Sequence, residues 1–573
     1  MEKLTTDILI MGGGLAAMAA ALEASEYSTS ILVASKGRVG NSGATLMAGS
    51  NFAAVLPEAQ EQGDRIDLHV EDTLLGGAGI NDPLLVRILA QNAPVDLLWL
   101  EKLGVRFLKK EGRFDIRKPP GHRNPRTVFT QNPGFPLTIR GRTITAPLLP
   151  ILLQKKIPLL ENVSVLRLIT HEGRLAGVVA LDRKSGEWIM IECQAAIMAC
   201  GGAGHLYEIN TNPGDLTGDS YSLALEAGCA LRDMEFVQFY PCLHLDSPRV
   251  PIYSPILSDG AVFRNKQGDR FLAKYEPERM ESATRDAVSR AVYREIREGM
   301  GIEGGVYLDL TPIPEKLLQA RFPDLLKLFE HHGIDLRKKW IRVAPAVHFF
   351  MGGVVVDERC RTSIHGLLAA GEAAGGVQGA NRLSGNGLSE PLVFGRIAGR
   401  EAARYAAEQK KLSASPLAFS PDWVTGERIP DEKIAQTRKR IKKLMWAKAG
   451  IIRHGDELKQ ALQELEVLHK CFARGQPPSK GSLSIYFEVR SMLRAAMAVV
   501  TAAVFRNESR GAHFREDFPV SKPEMAKSIC LELDRGSLKP FFLPGSKIFG
   551  REPECPEMAG RSCTDDQESR PRR

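Results

Sequence analysis

The start of the chain alternates between apolar runs and a helical pattern of small residues. Residues 6–11 form a continuous apolar run of strand type, and the alanine-rich stretch after Gly14 has helical texture. A second apolar run, SILVAS at residues 30–35, follows. A strand, a helix and a strand in this order predict a βαβ unit.

The strand signals recur, stop and return later. They recur at VSVLRLIT (163–170), RLAGVVALD (174–182) and AAIMACGG (195–202). From about residue 236 the sequence is proline-rich and irregular, with one amphipathic helical pattern at 283–300. Strand and glycine patterns return at MGGVVVD (351–357) and GLLAAGEAAGG (366–376). We therefore predict a nucleotide-binding α/β domain formed by 1–235 and 346–410, interrupted by an inserted α+β capping domain at 236–345.

The last part of the chain has helical patterns. Residues 416–430 have the composition of a linker, and the stretches at 429–450 and 455–470 predict helices. We expect a C-terminal helical bundle at 431–510, followed by a segment at 511–573 whose polar end is disordered.

Composition and charge exclude several classes of function. The net charge of +8 over 573 residues is small and forms no aromatic-studded basic patch, so we expect no nucleic-acid binding. Nine scattered cysteines contain no CxxC pair, which argues against zinc, iron–sulfur and dithiol sites, and we predict no metal site. The apolar tract 492–505 is too short to span a bilayer. We expect a cytoplasmic protein that reaches the inner face of a membrane only through partner subunits.

The glycine turn after the first strand indicates a dinucleotide site. Gly12, Gly14 and Ala17 fit G-x-G-x-x-G/A between a strand and a helix, where backbone and helix dipole can hold a pyrophosphate. The second strand ends in Ser35-Lys36 without the acidic residue that binds ribose in NAD domains. A plain NAD domain is therefore disfavoured.

Several ordered motifs give the chain a resemblance to a known family. They include GGGLAA, SKGRVGNSGAT, NPGDLTGDSYSLALEAG, DMEFVQFYP, ATRDAVSRAV, APAVHFFMGGVVVD, GLLAAGEAAGGVQGANRLSGNGLSEPLVFGRIAG, MWAKAGIIR and ESRGAHFREDFP. In order and spacing they resemble the flavoprotein subunit of the succinate dehydrogenase and fumarate reductase family, which also includes L-aspartate oxidase and adenylylsulfate reductase. The resemblance implies a Rossmann-like FAD-binding domain, in which Ser35-Lys36 is an ordinary strand ending.

The resemblance also implies the residues that hold FAD. Gly12, Gly13 and Gly14 would hold the pyrophosphate, Asp219 the adenosine ribose and Glu372 the ribityl chain. Asn386 and Leu388 would border the isoalloxazine ring. Membrane-bound members often attach FAD through a histidine in a Ser-His-Thr stretch, where this chain has Ser42-Gly43-Ala44-Thr45. We predict non-covalent FAD.

The resemblance assigns the reaction residues as well. Arg382 and His348 would clamp a substrate carboxylate, which suits the planar fork of arginine, and Arg285 would shuttle a proton. Where the family has QFHPT, this chain has QFYPC, so Tyr240 replaces a substrate-binding histidine. The family's T-E-x-x-R-G-E-G-G corresponds to residues 253–261, which lack the threonine, glutamate and arginine, and Phe349 and Phe350 add apolar rings.

Three functions remain open on the sequence. The first is a flavoprotein subunit that reduces fumarate or oxidises succinate and exchanges electrons with a separate iron–sulfur subunit. The second is an enzyme acting on a different enoate or a substituted succinate with an apolar end. The third is an FAD electron-relay subunit without substrate turnover.

Overall fold

The computed structural model describes residues 2–27, 30–119, 121–253, 255–409, 427–476 and 479–543. Most of the predicted linker at 416–430 and the predicted disordered end lie outside these residues. The strands are β1 (Glu2–Met11), β2 (Ile31–Ser35), β3 (Asn51–Ala53), β4 (Lys109–Lys110), β5 (Arg113–Phe114), β6 (Thr127–Phe129), β7 (Leu159–Glu161), β8 (Val163–His171), β9 (Arg174–Asp182), β10 (Trp188–Met198), β11 (Leu231–Arg232), β12 (Val237–His244), β13 (Val262–Arg264), β14 (Val306–Asp309), β15 (Ile341–Phe350), β16 (Gly353–Val354), β17 (Leu367–Ala369), β18 (Ile529–Asp534) and β19 (Ser537–Phe542).

The helices occupy the segments between these strands. They are α1 (Leu15–Ala24), α2 (Ala44–Met47), α3 (Pro57–Glu61), α4 (Ile66–Gly76), α5 (Pro83–Lys102), α6 (Arg142–Gln154), α7 (Asp219–Glu226), α8 (Pro255–Ser258), α9 (Leu272–Tyr275), α10 (Arg285–Arg297), α11 (Glu315–Arg321), α12 (Pro323–His331), α13 (Asn386–Glu408), α14 (Asp431–Lys448), α15 (Gly455–Arg474) and α16 (Leu483–Phe505).

The first domain is built on a seven-stranded sheet. Its strand order is β7-β2-β1-β10-β9-β8, with β17 also paired to β10. The strands β7, β2, β1, β10 and β17 run parallel, which explains why the second half of β1 is one unbroken buried apolar run.

Helices α1 and α13 pack tightly against each other on this sheet. A Cβ on Gly395 would lie 2.6 Å from the carbonyl oxygen of Ala16, and one on Gly399 would lie 2.4 Å from that of Ala20. These two glycines therefore allow a backbone approach that no side chain would permit.

The inserted segment forms a second sheet with its own core. Its order is β12-β15-β14-β13, and α10 packs against β12 and β15. The predicted domain boundary at residue 345 falls inside β15. The chain leaves the first domain along β12 and returns to it along β15. Since these strands lie side by side, their ends meet the end of the larger sheet that carries the glycine turn after β1.

The C-terminal part consists of α14, α15 and α16, followed by the β18–β19 hairpin. The hairpin completes a four-stranded sheet of order β16-β11-β18-β19, which joins the end of the described chain to the first domain. No helix among the described residues is both long and apolar enough to cross a membrane.

Candidate active site

A single cavity joins the glycine turn after β1 to the facing strands β12 and β15. Its volume is about 1670 Å³, with the solvent at its mouth included. The predicted cofactor residues that line it are Gly12, Gly13, Gly14, Ser35, Lys36, Ser42, Gly43, Asp219, Glu372 and Leu388, and the predicted reaction residues that line it are Tyr240, Arg285, His348 and Arg382. Residues predicted from distant motifs thus share one space.

Two predicted cofactor residues lie behind the cavity wall. Ala17 is fully buried within α1. The amide of Asn386 accepts a hydrogen bond from Nε2 of His69 at 3.0 Å and donates one to Thr73 at 3.1 Å. Both residues support the wall from within the protein.

The glycine turn forms a cradle that only glycine can build. Gly12 has φ +134°, and a Cβ there would lie 2.2 Å from the carbonyl oxygen of Ala199. Gly14 occupies the N-cap position of α1, and Gly14, Leu15 and Ala16 line the cavity, so the N-terminal end of this helix faces it. The arrangement fits the pyrophosphate of a dinucleotide.

Lys36 and Asp219 are paired at the far end of this cavity. The Nζ of Lys36 lies 2.9 Å from Asp219 and 3.2 Å from Glu488. Burial works against the charged lysine, but the two carboxylates outweigh it and raise the pKa of Lys36. The pair fixes the Asp219 carboxyl group where a ribose hydroxyl could donate to it.

Gly43 opens toward the cavity. Its φ is +77°, and a Cβ there would meet nothing within 4 Å. Its backbone N–H donates to the carboxylate of Asp215 at 2.9 Å. The sequence did not single out Asp215, which fixes the loop at the position that the resemblance aligns with the Ser-His-Thr stretch.

Glu372 is a buried carboxyl group in the cavity wall. It accepts the backbone N–H of Phe350 at 3.0 Å, and burial raises its pKa to about 7. A carboxyl group with such a pKa can accept or donate a hydrogen bond near neutral pH, which suits a partner for sugar-alcohol hydroxyls.

Gln238 positions the two arginines of the reaction end. Its Oε1 accepts from Nε and Nη2 of Arg382 at 3.1 and 2.9 Å, and from Nη1 of Arg285 at 3.3 Å. Its Nε2 donates to Asn381 and to the carbonyl of Arg382. Sequence reasoning missed this role, because no pattern reveals a contact between residues so far apart in the chain.

The two guanidinium groups are also stacked on aromatic rings. Cζ of Arg382 lies 4.6 Å from the ring centre of Phe349, and Cζ of Arg285 lies 5.1 Å from that of Tyr240. No carboxylate in the described part of the chain lies within 4.0 Å of the Arg382 guanidinium. Burial, with Arg285 acting in the same direction, lowers the pKa of Arg382 to about 9. The site therefore favours binding of an anion.

His348 is the extra residue of a bulge in β15. Gln238 pairs with Phe349 and Phe239 with Val347, so His348 has no opposite residue in β12. Its Nδ1 lies 2.8 Å from Oγ1 of Thr211, while the same hydroxyl is 3.3 Å from the Val347 carbonyl. Burial and both arginines hold the pKa of His348 well below its usual value. If the hydroxyl donates through the shorter contact, Nε2–H of the neutral ring remains to bind an anion.

The hydroxyl of Tyr240 forms a hydrogen bond with the protein backbone. It donates to the carbonyl of Ile252 at 2.8 Å, and its ring centre lies 5.0 Å from that of His348. The carboxylate of Asp259, in the segment with the replaced residues, is paired with Arg321. Leu257, together with Arg285 and Glu281, lines a small second cavity behind the arginine.

Comparisons with known proteins agree with this geometry. A family model described as "FAD binding domain" matches residues 7–388, and one described as "Fumarate reductase flavoprotein C-term" matches residues 438–531. The chain is 38% identical to an uncharacterised FAD-dependent oxidoreductase of Methanocaldococcus jannaschii over 92% of this chain and 96% of that protein. It is 37% identical to a fumarate reductase (CoM/CoB) subunit from Methanothermobacter marburgensis over 92% of this chain and 97% of that one.

A solved structure shows the same architecture. Quinol fumarate reductase of E. coli is 29% identical, with a TM-score of 0.85 over 95% of this chain and 97% of that chain. The predicted fold class is confirmed: a Rossmann-like domain, an inserted α+β capping domain and a C-terminal helical bundle.

Proposed function

We propose that this chain, which belongs to the FAD-dependent flavoprotein family of succinate dehydrogenase and fumarate reductase, acts on a carbon–carbon bond beside a substrate carboxylate. Family membership confirms FAD as the cofactor and an FAD-dependent oxidoreductase as the enzyme class. The observation that carries the proposal is the pair of arginines that Gln238 holds in the cavity of the glycine cradle.

The cavity residues fit FAD. The cradle at Gly12 would hold the pyrophosphate, Asp219 the ribose and Glu372 the ribityl chain. FAD supplies hydride transfer through N5 of its ring. The open position at Gly43 carries no imidazole, and we propose that FAD is held without a covalent bond.

The arginines and His348 would grip the substrate carboxylate. As hydride reaches the β-carbon, negative charge builds on the α-carbon and spreads to this carboxylate. Fixed positive groups in a buried site stabilise that charge more than water would. In the reverse direction the same groups make the α-hydrogen more acidic.

Arg285 is the proposed proton donor to the α-carbon. Burial lowers the pKa of Arg285, which brings this very weak acid closer to the range where proton transfer is feasible. With Leu257 beside it in the small second cavity, the proton supply cannot follow the family's glutamate and arginine. We propose that water in this cavity supplies it.

A separate iron–sulfur subunit is the proposed electron partner. The Methanothermobacter relative is named as one subunit of an enzyme, which supports assembly with other chains. We assign any membrane contact to partner subunits. Iron and acid-labile sulfide should co-purify with the flavin from native cells. A pure flavoprotein that takes electrons from NAD(P)H would contradict this assignment.

The test of the reaction uses holoprotein reduced with dithionite in the absence of oxygen. An enoate should reoxidise the flavin, and Arg285→Ala should slow this step strongly. Arg297→Ala is the matched control, because Arg297 lies on the same helix but pairs with Glu516 at the surface. Reoxidation at the normal rate in Arg285→Ala would refute the role of Arg285. No reoxidation by any enoate would favour the relay subunit.

A further inference from the structure

Two tyrosines stand where the family has a histidine and a threonine for the substrate's second carboxylate. The phenol of Tyr240 has one hydrogen, and this hydrogen is donated to the Ile252 carbonyl at 2.8 Å. Toward a ligand the hydroxyl offers lone pairs, which repel a carboxylate. The ring of Tyr240 is therefore the part that a ligand would meet.

Tyr253 repeats this arrangement. Its hydroxyl points at the carbonyl of Leu137 at 3.5 Å, and its ring lines the cavity. Burial raises the pKa of Tyr253, so the phenol is neutral at physiological pH. Arg140 lies 5.6 Å from the ring centre but is not among the cavity-lining residues of the described chain.

Two prolines line the same cavity beside Tyr253. Pro251 and Pro255 line the same end of the cavity, and proline has no N–H. Phe349 adds a third aromatic ring beside Arg382. A carboxylate placed here would lose its hydration without gaining hydrogen bonds from these residues, whereas an apolar group would bury its surface against the rings.

We infer that the substrate is a 2-enoate with one carboxylate and an apolar group on C3, or its saturated counterpart. This inference rests on the proposed function and adds the substrate class. The C1 carboxylate lies against Arg382, Arg285 and His348, and the C3 substituent lies against Tyr240 and Tyr253. In reduction the C2=C3 π bond is lost, C3 gains a hydride and C2 a proton. Two electrons thereby leave the reduced cofactor, and the electron partner, or dithionite in the test, replaces them.

Binding to the oxidised holoprotein tests this inference without turnover. The flavin absorbance is titrated with 3-phenylpropionate, butyrate, succinate and glutarate to give a Kd for each. We expect 3-phenylpropionate to bind at least about 10-fold tighter than succinate, because one charge-assisted hydrogen bond corresponds to roughly 10- to 100-fold in affinity. Tighter binding of succinate or glutarate would overturn the inference.

Two variants at Tyr240 distinguish the contribution of its ring to ligand preference from that of its hydroxyl. Tyr240→Phe should keep the preference for 3-phenylpropionate, whereas Tyr240→His should reduce it by about 10-fold. A loss of all carboxylate binding in Tyr240→Phe would show that the hydroxyl is a ligand and would overturn the inference. Tyr253→Thr provides the second test if Tyr240→His does not fold. Tyr307→Phe, on β14 beside Trp340, is the matched control.

The outcomes also distinguish this inference from the proposed function. If no carboxylate perturbs the flavin spectrum and none reoxidises the reduced protein, the proposed function fails. If fumarate reoxidises the flavin faster than cinnamate and succinate binds tightest, only the substrate class fails. Faster reoxidation by cinnamate, with the expected order of Kd values, supports both.

Discussion

Replacing Gln238 by glutamate would test whether the arginine pair binds the substrate carboxylate. The substitution keeps the shape of the side chain and the oxygen that accepts three N–H groups from Arg382 and Arg285. The new charge would pair with both guanidinium groups, so we expect the protein to fold and to retain FAD. The cost is the loss of the Nε2 donations to Asn381 and the Arg382 carbonyl.

The new carboxylate should weaken substrate binding. It would lie on the opposite side of the guanidinium groups from the proposed substrate carboxylate. Contacts of about 2.8 Å on both sides of a guanidinium group would put the two carboxylates roughly 6 to 7 Å apart. At an effective dielectric constant of about 20, this repulsion is about 2.5 kcal/mol, or roughly 70-fold in affinity. The added negative charge should also raise the pKa of Arg382.

The assay is the titration of flavin absorbance with a carboxylate ligand, together with thermal unfolding. Gln460→Glu is the matched control: it makes the same change of charge at the surface, where Gln460 accepts from Lys448. An affinity in Gln238→Glu within a factor of two of wild type, with the fold intact, would refute the assignment of Arg382 and Arg285 as carboxylate ligands.

Three further predictions concern Gly43, His122 and Glu390. Acid precipitation should release all flavin into the supernatant, since Gly43 offers no attachment atom; flavin in the pellet would contradict this. His122→Phe should raise the KM for the carboxylate several-fold. It removes the 2.8 Å donor to the carbonyl of Ser384, which lines the cavity two residues from Arg382, and an unpaired buried carbonyl costs about 1–3 kcal/mol. An unchanged KM would exclude a role of His122 in positioning this segment. Burial raises the pKa of Glu390 from 4.5 to about 7, so its contribution to stability is full below pH 4.5 and is lost as pH rises through 7. Above pH 7, Glu390→Gln should therefore be more stable than wild type by up to about 3 kcal/mol of unfolding free energy, and thermal unfolding should show a higher midpoint. At pH 4 the variant should have no such advantage. Equal pH profiles of the two proteins would contradict the shift.

The sequence was sufficient for the features that depend on local pattern. The glycine turn after β1 could be predicted because an apolar run and an alanine-rich helix flank it. The β18–β19 hairpin was missed although a signal was present. Arg535 and Gly536 have φ values of +49° and +84°, which a two-residue turn of the I′ type requires, and Gly536 marks it in the sequence.

The partners within the site could not be predicted, because they are contacts between distant segments. The motif identifies Tyr240 as a replacement for histidine, but it does not predict which group the Tyr240 hydroxyl contacts. Only the bulge between Tyr240 and Leu243 and the return of the chain at Ile252 place a backbone carbonyl within reach of its hydroxyl. The roles of Gln238 and Thr211 depend in the same way on the pairing of β12 with β15 and on the loop beside them.

The replacements at residues 253–261 are physically linked. In the register of the family's T-E-x-x-R, Ser254 takes the place of the glutamate and Leu257 that of the arginine. Removing one member of a buried ion pair leaves an uncompensated charge and typically costs about 3–5 kcal/mol, whereas replacing both by uncharged residues can be neutral. Because this chain has neither the glutamate nor the arginine of that pattern, neither charge is left without the other. Arg285 and Arg382 are held in another way, since both contact Gln238 and each stacks on an aromatic ring. Because Gln238 and the two rings carry no net charge, the proposed ligand carboxylate would bring a negative charge to this end of the cavity.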